Sequence, residues 1–145
     1  MEDFMMKAID EAKKSMELYE VPVGAVIVKN GVIIARAHNL KEKLKDPTAH
    51  AEILAIKKAS AFLNNWRLMD CSMYVTLEPC PMCAGAILQS RISKLYIGTF
   101  DPVCGACGSV INVIQNNNLN RWTDIKWCYD DRCSDILKDF FKNRR

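Results

Sequence analysis

The chain has 145 residues, of which 50% are hydrophobic and 26% are charged, close to the usage of ordinary globular domains. A chain of this length buries about 70% of its unfolded surface, so we expect one domain, residues 1–145, with its own core. The composition excludes a disordered chain, a collagen-like repeat and a small disulfide scaffold. The formal net charge of +3 is too small to indicate a nucleic-acid-binding protein by itself.

The N-terminal part of the chain predicts a helix followed by a hairpin. Apolar residues recur at helical spacing from residue 3 to 19, and Pro22, which disfavours a longer helix, lies just beyond. The β-branched runs Val23–Lys29 and Val32–His38 flank Asn30-Gly31. Because Asn and Gly tolerate positive φ, this pair is typical of a type I′ turn between two strands.

The middle of the chain predicts alternating helices and strands. Asp46-Pro47 offers a capping residue and a proline at the first helical position, which predicts a helix from there to about Leu63. A strand at Cys71–Leu77, a helix at Pro81–Ser90 and a strand at Lys94–Phe100 follow. A strand, a helix and a strand in succession indicate neighbouring parallel strands.

The C-terminal part has a weaker pattern. It predicts a short helix near residues 109–114, a strand at Asp124–Cys128 and a final helix from about Asp130 to Asn143. With the preceding elements, these give an α/β fold in three layers, α/β/α. A mixed sheet of about five strands would lie between two layers of helices.

Seven cysteines, an odd number, indicate free thiols rather than a disulfide framework. The first residues lack a basic segment followed by an apolar one, so we expect no secretion signal and a cytoplasmic, reducing location. The longest uncharged run, residues 102–120, is interrupted by glycines and asparagines, which excludes a membrane span there.

Two short motifs carry candidate metal ligands: His50-Ala51-Glu52 and, after 26 intervening residues, Pro79-Cys80-Pro81-Met82-Cys83. Taken separately, a helical histidine is usually structural, and a C-x-x-C pair can serve redox chemistry or none. Together they offer one imidazole and two thiolates, a ligand set for catalytic zinc that leaves the fourth position to water. Cys80 and Cys83 lie at a predicted helix start, where the helix dipole favours thiolates. The pattern predicts one Zn²⁺ held by His50, Cys80 and Cys83.

Glu52 is the candidate acid–base residue. In a first helical turn beside the metal, its carboxylate could take a proton from the attacking water and later protonate a leaving amine. The alternative is an acidic residue that only stabilises a helix N-terminus. The neighbouring ligands favour the catalytic role.

Cys104 and Cys107 have metal-like spacing, but no histidine lies near them in sequence. We expect two packing residues in a glycine-rich turn, with a second zinc site or a redox switch as the alternatives. Cys71 is predicted to lie in the core, and His38 is not needed as a ligand.

H-x-E with a downstream P-C-x-x-C is the known signature of zinc-dependent deaminases. Beyond it, the segments 21–26, 46–53, 74–80, 82–86 and 139–145 resemble the bacterial tRNA adenosine deaminases. The resemblance covers essentially the whole chain. It implies a cytidine-deaminase-like fold, a homodimer that binds the tRNA anticodon stem-loop near the subunit boundary, and hydrolytic deamination of wobble adenosine 34 to inosine by zinc-activated water attacking C6.

The resemblance also implies roles for individual residues. Asn39 would hydrogen-bond the extruded adenine, the backbone N–H of Cys80 would face the reacting centre, and Asp101 would touch a neighbouring ribose. The wall and phosphate contacts of the anticodon-loop groove would come from Phe140, Phe141, Arg144 and Arg145. Aromatic and basic side chains together suit an extruded loop, since bases stack while phosphates pair with cations. The alternative is a solvated helix end, with at least one phenylalanine packed on the sheet.

Two other functions stay open at this point. A small-molecule deaminase of guanine or cytidine could use the same metal ligands, but a free base offers no phosphates to the basic, aromatic C-terminus. A non-catalytic zinc module is the second alternative. Structural zinc sites usually have four protein ligands, and no fourth ligand is evident near His50, Cys80 and Cys83.

Overall fold

The structure, a computed structural model, describes residues 2–143. Its helices and strands follow in the order α1 (Phe4–Glu17), β1 (Gly24–Lys29), β2 (Val32–His38), α2 (Lys41–Leu44), α3 (Ala51–Leu63), β3 (Cys71–Leu77), α4 (Pro81–Gln89), β4 (Lys94–Thr99), β5 (Asp124–Trp127) and α5 (Asp131–Asn143). Every helix in this part of the chain is too short or too polar to cross a membrane.

The five strands form one mixed sheet in the order β2-β1-β3-β4-β5. β1 pairs antiparallel with both β2 and β3, whereas β3, β4 and β5 are parallel. The predicted five-stranded mixed sheet is therefore confirmed. Because β3 and β4 are parallel and adjacent, the segments that follow Leu77 and Thr99 leave the sheet at the same edge.

Helices cover both faces of the sheet. Helices α3 and α4 pack together on one face, while α1 and α5 pack on the other. Strand β1 shows the division, because Ala25 and Ile27 join the core beneath α3 and α4, and Val26 and Val28 join the core beneath α1. This alternation is the period-2 pattern of a strand buried on both faces. The predicted α/β/α layers are confirmed.

The turn between β1 and β2 is as predicted. Asn30 and Gly31 have φ values of 51° and 76°, the left-handed conformation that a type I′ turn requires at both positions. Gly24, at the start of β1, has a different role. A Cβ there would collide with the Ala8 carbonyl oxygen of α1, so its absence lets the helix lie close to the strand.

The helix predicted to begin at Asp46-Pro47 begins later, at Ala51, so that prediction is wrong at its N-terminus. The side chain of Asp46 accepts hydrogen bonds from the backbone N–H and the hydroxyl of Thr48, at 2.8 and 2.7 Å. It therefore closes a tight turn instead of capping a helix. The sequence pattern also missed the single-turn helix α2.

The short helix predicted at 109–114 is not formed. The N–H groups of Val110 and Ile111 both donate to the Gly105 carbonyl, and Cys107 forms an isolated bridge with Asn112. The N–H of Val113 donates to the Ala106 carbonyl, so the hydrogen bonds of this segment do not follow the helical pattern. The other predicted elements agree with the structure to within a few residues at their ends.

Candidate active site

Two helix N-termini bring the three predicted metal ligands together. His50 is the residue that precedes α3, Cys80 precedes α4, and Cys83 lies in the first turn of α4. His50 Nδ1 lies 3.7 Å from Cys80 Sγ and 3.5 Å from Cys83 Sγ. Tetrahedral zinc, with bonds of about 2.1 Å to nitrogen and about 2.3 Å to sulfur, separates these atoms by about 3.6 Å. The donor set and its spacing fit zinc.

The two thiols differ in acidity. Hydrogen bonds from the Cys83 thiol, His50 and the Cys83 backbone N–H lower the pKa of Cys80 to about 4. The thiol of Cys83 donates to Cys80 and is buried, and both effects raise its pKa. A divalent cation would offset the charge of both thiolates, because metal binding favours the deprotonated ligands.

Glu52 lies at the second position of α3, and only 4% of its surface is exposed. Burial raises the pKa of Glu52 to about 7, and its carboxyl group also contacts the Cys83 side chain. Since His50 precedes the helix, the two side chains can face one site although they are two residues apart. The structure thus places a buried carboxyl group beside the candidate metal ligands.

An open cleft of about 360 Å³ gives access to this group. It is lined by His50, Glu52 and Cys80 together with the predicted substrate contacts Asn39 and Asp101. The structure therefore brings five of the predicted site residues to one cleft.

Asn39 is 8% exposed and has partners at both ends of its side chain. Its amide oxygen accepts a hydrogen bond from Ala51 N at 2.9 Å, and its amide nitrogen donates to the Val21 carbonyl at 3.1 Å. The first bond satisfies a backbone donor at the N-terminus of α3. An amide oxygen accepts two bonds and an amide nitrogen donates two, so each end can serve a second partner in the cleft.

The predicted C-terminal contacts are not brought to this cleft within the described part of the chain. Phe140 is 5% exposed, and its ring meets that of Phe141 edge-on at 5.3 Å. Phe141 is 54% exposed. One phenylalanine is therefore packed in the fold and the other faces solvent. Arg144 and Arg145 lie outside the described residues.

The remaining predictions for cysteines and for His38 concern residues outside the metal site. Among residues 2–143, only His50, Cys80 and Cys83 form a group that could hold a metal, so Cys104 and Cys107 do not form a second such site. Cys71 and Cys107 are buried as predicted, but Cys104 is exposed, so the packing role predicted for it is wrong. His38 lies 3.1 Å from a carboxylate oxygen of Glu11 and is not part of the site.

Sequence reasoning missed Glu78, which also lines the cleft and is 2% exposed. Its position in the sequence could have indicated a role, because Glu78 stands between the buried strand β3 and Pro79-Cys80. A charged residue at such a buried position is rare unless it has polar partners.

Comparisons with known proteins find relatives that match nearly the whole chain. The family model described as MafB19-like deaminase matches residues 1–145. The tRNA-specific adenosine deaminase of Bacillus subtilis is 47% identical over 143 residues, which are 98% of this chain and 89% of that protein. The tRNA-specific adenosine deaminase of Aquifex aeolicus is 49% identical over 146 residues, covering 99% of this chain and 95% of that protein.

Two solved structures have similar folds. One, from a study of A-to-I editing by tRNA:A34 deaminases, has a TM-score of 0.89 and 41% identity, over 92% of this chain and 98% of that one. The guanine deaminase of Bacillus subtilis has a TM-score of 0.64 and 33% identity, over 81% and 85%. The cytidine-deaminase-like fold is thus confirmed. The chain belongs to the MafB19-like deaminase family and to the tRNA-specific adenosine deaminases.

Proposed function

We propose that this protein is a zinc-dependent hydrolase that converts adenosine to inosine at wobble position 34 of tRNA. The observation that carries the proposal is the cleft, which is lined by the candidate metal ligands His50 and Cys80, by the buried Glu52 and by the predicted substrate contacts Asn39 and Asp101. The choice of adenosine in tRNA as the substrate is supported by the 47–49% identity of this chain to two tRNA-specific adenosine deaminases.

His50, Cys80 and Cys83 would hold one Zn²⁺ per subunit. When bound in such a site, zinc lowers the pKa of a water ligand toward about 7 and so supplies a nucleophile at neutral pH. Their spacing of 3.5 to 3.7 Å between nitrogen and sulfur supports this assignment.

Glu52 would move the protons of the reaction. Adenosine and one water give inosine and one ammonia, so the proton lost by the attacking water must reach the purine. A carboxyl group buried beside the site can accept that proton, donate it to N1, and then help to protonate the departing amine. Its burial also restricts proton exchange with bulk water.

Asn39 and Asp101 would position the extruded nucleotide. The Asn39 amide is held by Ala51 and Val21, so its orientation is set before the purine arrives. A preorganised donor and acceptor pair discriminates among ring edges because a mismatched base leaves a buried polar group unpaired. Asp101 lines the same cleft and would contact a neighbouring ribose.

A basic aromatic patch on the surface supports an RNA substrate. The guanidinium carbons of Arg67 and Arg91 lie 4.3 and 5.5 Å from the centre of the Trp66 ring. Arg91 also borders a shallow cavity of about 430 Å³ together with Arg121 and Trp122. In residues 2–143, none of these three arginines forms an ion pair with a carboxylate. Arg91 donates to the Leu88 and Gln89 carbonyls and Arg121 to the Gln89 side chain, so their guanidinium groups keep their full positive charge. Charged guanidinium groups beside aromatic rings suit phosphates and bases.

The basic aromatic patch also bears on the homodimer. Its residues precede β3, β4 and β5, whereas the cleft lies where β3 and β4 end. An RNA that contacted both surfaces would either span the two ends of the strands in one copy or contact the cleft of one copy and the patch of another, and the expected homodimer would allow the second arrangement.

All seven cysteines are free thiols, which supports the expected cytoplasmic location.

Guanine deamination is the second candidate function. It is favoured by one observation, the 33% identity to the guanine deaminase of Bacillus subtilis. That identity is lower than the 47% shared with the tRNA-specific adenosine deaminase of the same organism, and a free purine makes no use of the basic aromatic patch.

The decisive assay incubates zinc-loaded protein with an anticodon stem-loop that has adenosine at the wobble position. Parallel reactions contain guanine, cytidine, or a stem-loop with adenosine at another position. We expect inosine and ammonia in equal amounts from the first substrate alone. Ammonia from a free base with the RNA unchanged would overturn the proposal and favour a small-molecule deaminase.

A further inference from the structure

The loop that follows β4 lies against the turn that carries Cys80. Asp101 and Cys104 of this loop line the cleft, and the Ala106 N–H donates to the Pro79 carbonyl at 2.9 Å. The position of Asp101 relative to the metal ligands therefore depends on how this loop, residues 101–109, is fastened.

The side chain of Glu78 holds this loop in place through hydrogen bonds to its backbone. One carboxylate oxygen accepts a hydrogen bond from Asp101 N at 2.9 Å. The other accepts from Cys107 N at 2.9 Å and from Ser109 N at 3.1 Å. The backbone N–H of Glu78 donates to the Thr99 carbonyl at the end of β4. One buried side chain thus binds the beginning and the end of loop 101–109.

Gly105 shows how closely the loop approaches this carboxylate. A Cβ at Gly105 would collide with the carboxyl group of Glu78 and with the Asp101 carbonyl oxygen. Only a residue without a side chain lets the loop close around Glu78.

We propose that Glu78 is a positioning residue for the deamination, because it holds loop 101–109 on the Cys80 turn and thereby sets Asp101 in the cleft. The inference rests on the proposed function through the substrate contact of Asp101. Glu78 itself acts on the loop backbone, two residues before a candidate metal ligand.

A glutamine at this position cannot replace the carboxylate. An amide has one acceptor oxygen, so its NH2 group must face either the N–H of Asp101 or the N–H groups of Cys107 and Ser109. Two donors then oppose each other in a buried site, which is unfavourable. Glu78→Gln should release one end of the loop while leaving the core of the sheet unchanged.

The test is a double-mutant cycle on kcat/KM with the adenosine stem-loop, using Glu78→Gln, Asp101→Asn and both together. Asp101 Oδ1 accepts hydrogen bonds from the N–H groups of Val103 and Cys104. Asp101→Asn keeps an oxygen that can accept these bonds. We expect Glu78→Gln alone to lower kcat/KM by about 10- to 100-fold, since small displacements of positioned groups have effects of that size. In the Asp101→Asn background, Glu78→Gln should lower kcat/KM by less than about 2-fold, because the two residues act through the same contact.

Two further readouts separate positioning from general damage. Zinc content should stay at one per chain, and amide hydrogen exchange should accelerate at Asp101, Cys107 and Ser109 but not in β3. Gly105→Ala should reproduce these effects from the loop side if Glu78→Gln folds poorly. Glu11→Gln is the matched control, because Glu11 is a buried carboxylate that pairs with Lys14 and His38 away from the cleft.

Two outcomes would overturn the inference. Multiplicative losses in the cycle would mean that Glu78 does not act through Asp101, and unchanged exchange at the three amides would mean that it does not hold the loop. If the unmodified protein does not act on the stem-loop, the proposed function fails instead, and the exchange data still decide whether Glu78 fastens the loop.

Discussion

Glu52 is the residue on which the proposed chemistry depends most directly. It is buried, it lies two residues from the ligand His50, and its carboxyl group contacts Cys83. A group that only stabilised the N-terminus of α3 would gain nothing from burial, because the helix dipole attracts an exposed carboxylate as well. The position therefore fits proton transfer better than helix stabilisation.

The first prediction concerns this side chain. Glu52→Gln should lower kcat by about 10²- to 10⁴-fold, the usual contribution of a positioned acid–base group, because an amide cannot carry the proton. Zinc content, measured by elemental analysis, should not change. Glu11→Gln serves as the buried control, and retained activity in Glu52→Gln would remove this residue from the mechanism.

At the scale of elements, the contact between α1 and β1 depends on Gly24. The carbonyl of Ala8 and the backbone nitrogen of Ala12 occupy the space that a side chain at Gly24 would need. Gly85, in α4, has no atom within 4 Å of a corresponding Cβ position. We therefore expect an alanine to destabilise the fold at Gly24 and to stabilise it at Gly85.

Gly24→Ala should lower the free energy of unfolding by about 1–3 kcal/mol, since overpacking forces the helix away from the strand. Gly85→Ala should raise it by up to about 1 kcal/mol, because alanine is the better helix former. Urea denaturation of both variants checks the pair. Equal stability of the two would show that α1 does not depend on this close approach.

Arg132 links the beginnings of α1 and α5. Its guanidinium group lies 3.1 Å from a carboxylate oxygen of Asp3 and 2.6 Å from one of Asp130. Hydrogen bonds from the Met6 backbone and from Arg132 lower the pKa of Asp3, and the bond from Arg132 lowers the pKa of Asp130. Carboxylates with lowered pKa values stabilise the fold above their unfolded pKa and lose that contribution as acid protonates them.

Arg132→Ala should therefore lower the free energy of unfolding by at most about 1 kcal/mol at neutral pH, because the pairs are partly exposed. The difference from the unmodified protein should shrink as the pH falls from about 5 to about 2, through the lowered pKa values of both carboxylates. Urea titrations at several pH values measure it, with the exposed Lys13→Ala as control. A difference that grows in acid would contradict this assignment.

At the scale of the whole molecule, the proposed RNA contacts include the C-terminal residues Arg144 and Arg145, which follow the last residue that the structure describes. Arg144 and Arg145 follow Phe140, which is buried, so a truncation that reached Phe140 would damage the core. Deleting only Arg144 and Arg145 tests the tail without that loss. We expect a higher KM for the stem-loop, an unchanged zinc content and an unchanged melting temperature. An unchanged KM would leave the tail no role in RNA binding.

The basic aromatic patch gives a separate prediction. Arg67→Ala combined with Arg91→Ala should weaken RNA binding and reduce the slope of log K against log salt by about 1 to 2, as expected when up to two phosphate contacts are lost. Lys13→Ala, on the helix layer that carries α1, should leave the slope unchanged. A slope that also stays the same in the double variant would exclude the patch from the RNA surface.

Much of this molecule could be predicted from local sequence patterns. The strands β1 to β5, the turn at Asn30-Gly31 and the start of α4 at Pro81 follow from side-chain branching, tolerance of positive φ and proline geometry. The ligands Cys80 and Cys83 are three residues apart at one helix start, so their proximity is also local. The resemblance to deaminases supplied the roles of Asn39 and Asp101.

The tertiary structure decided what depends on contacts between distant segments. Helix α3 begins at Ala51 because Asn39, 12 residues earlier, accepts its first backbone hydrogen bond, while Asp46 turns back on Thr48. Residues 109–114 are not helical because the N–H groups of Val110 and Ile111 donate to the Gly105 carbonyl and that of Val113 donates to the Ala106 carbonyl, instead of to carbonyls four residues earlier. Glu78, 31 residues before Ser109, holds this loop by accepting the Ser109 N–H. By itself, the sequence determined which elements form and which side chains can ligate zinc. Their convergence in one cleft came from the packing of helices on the sheet and from hydrogen bonds between distant segments, because these contacts join residues that no local sequence pattern contains.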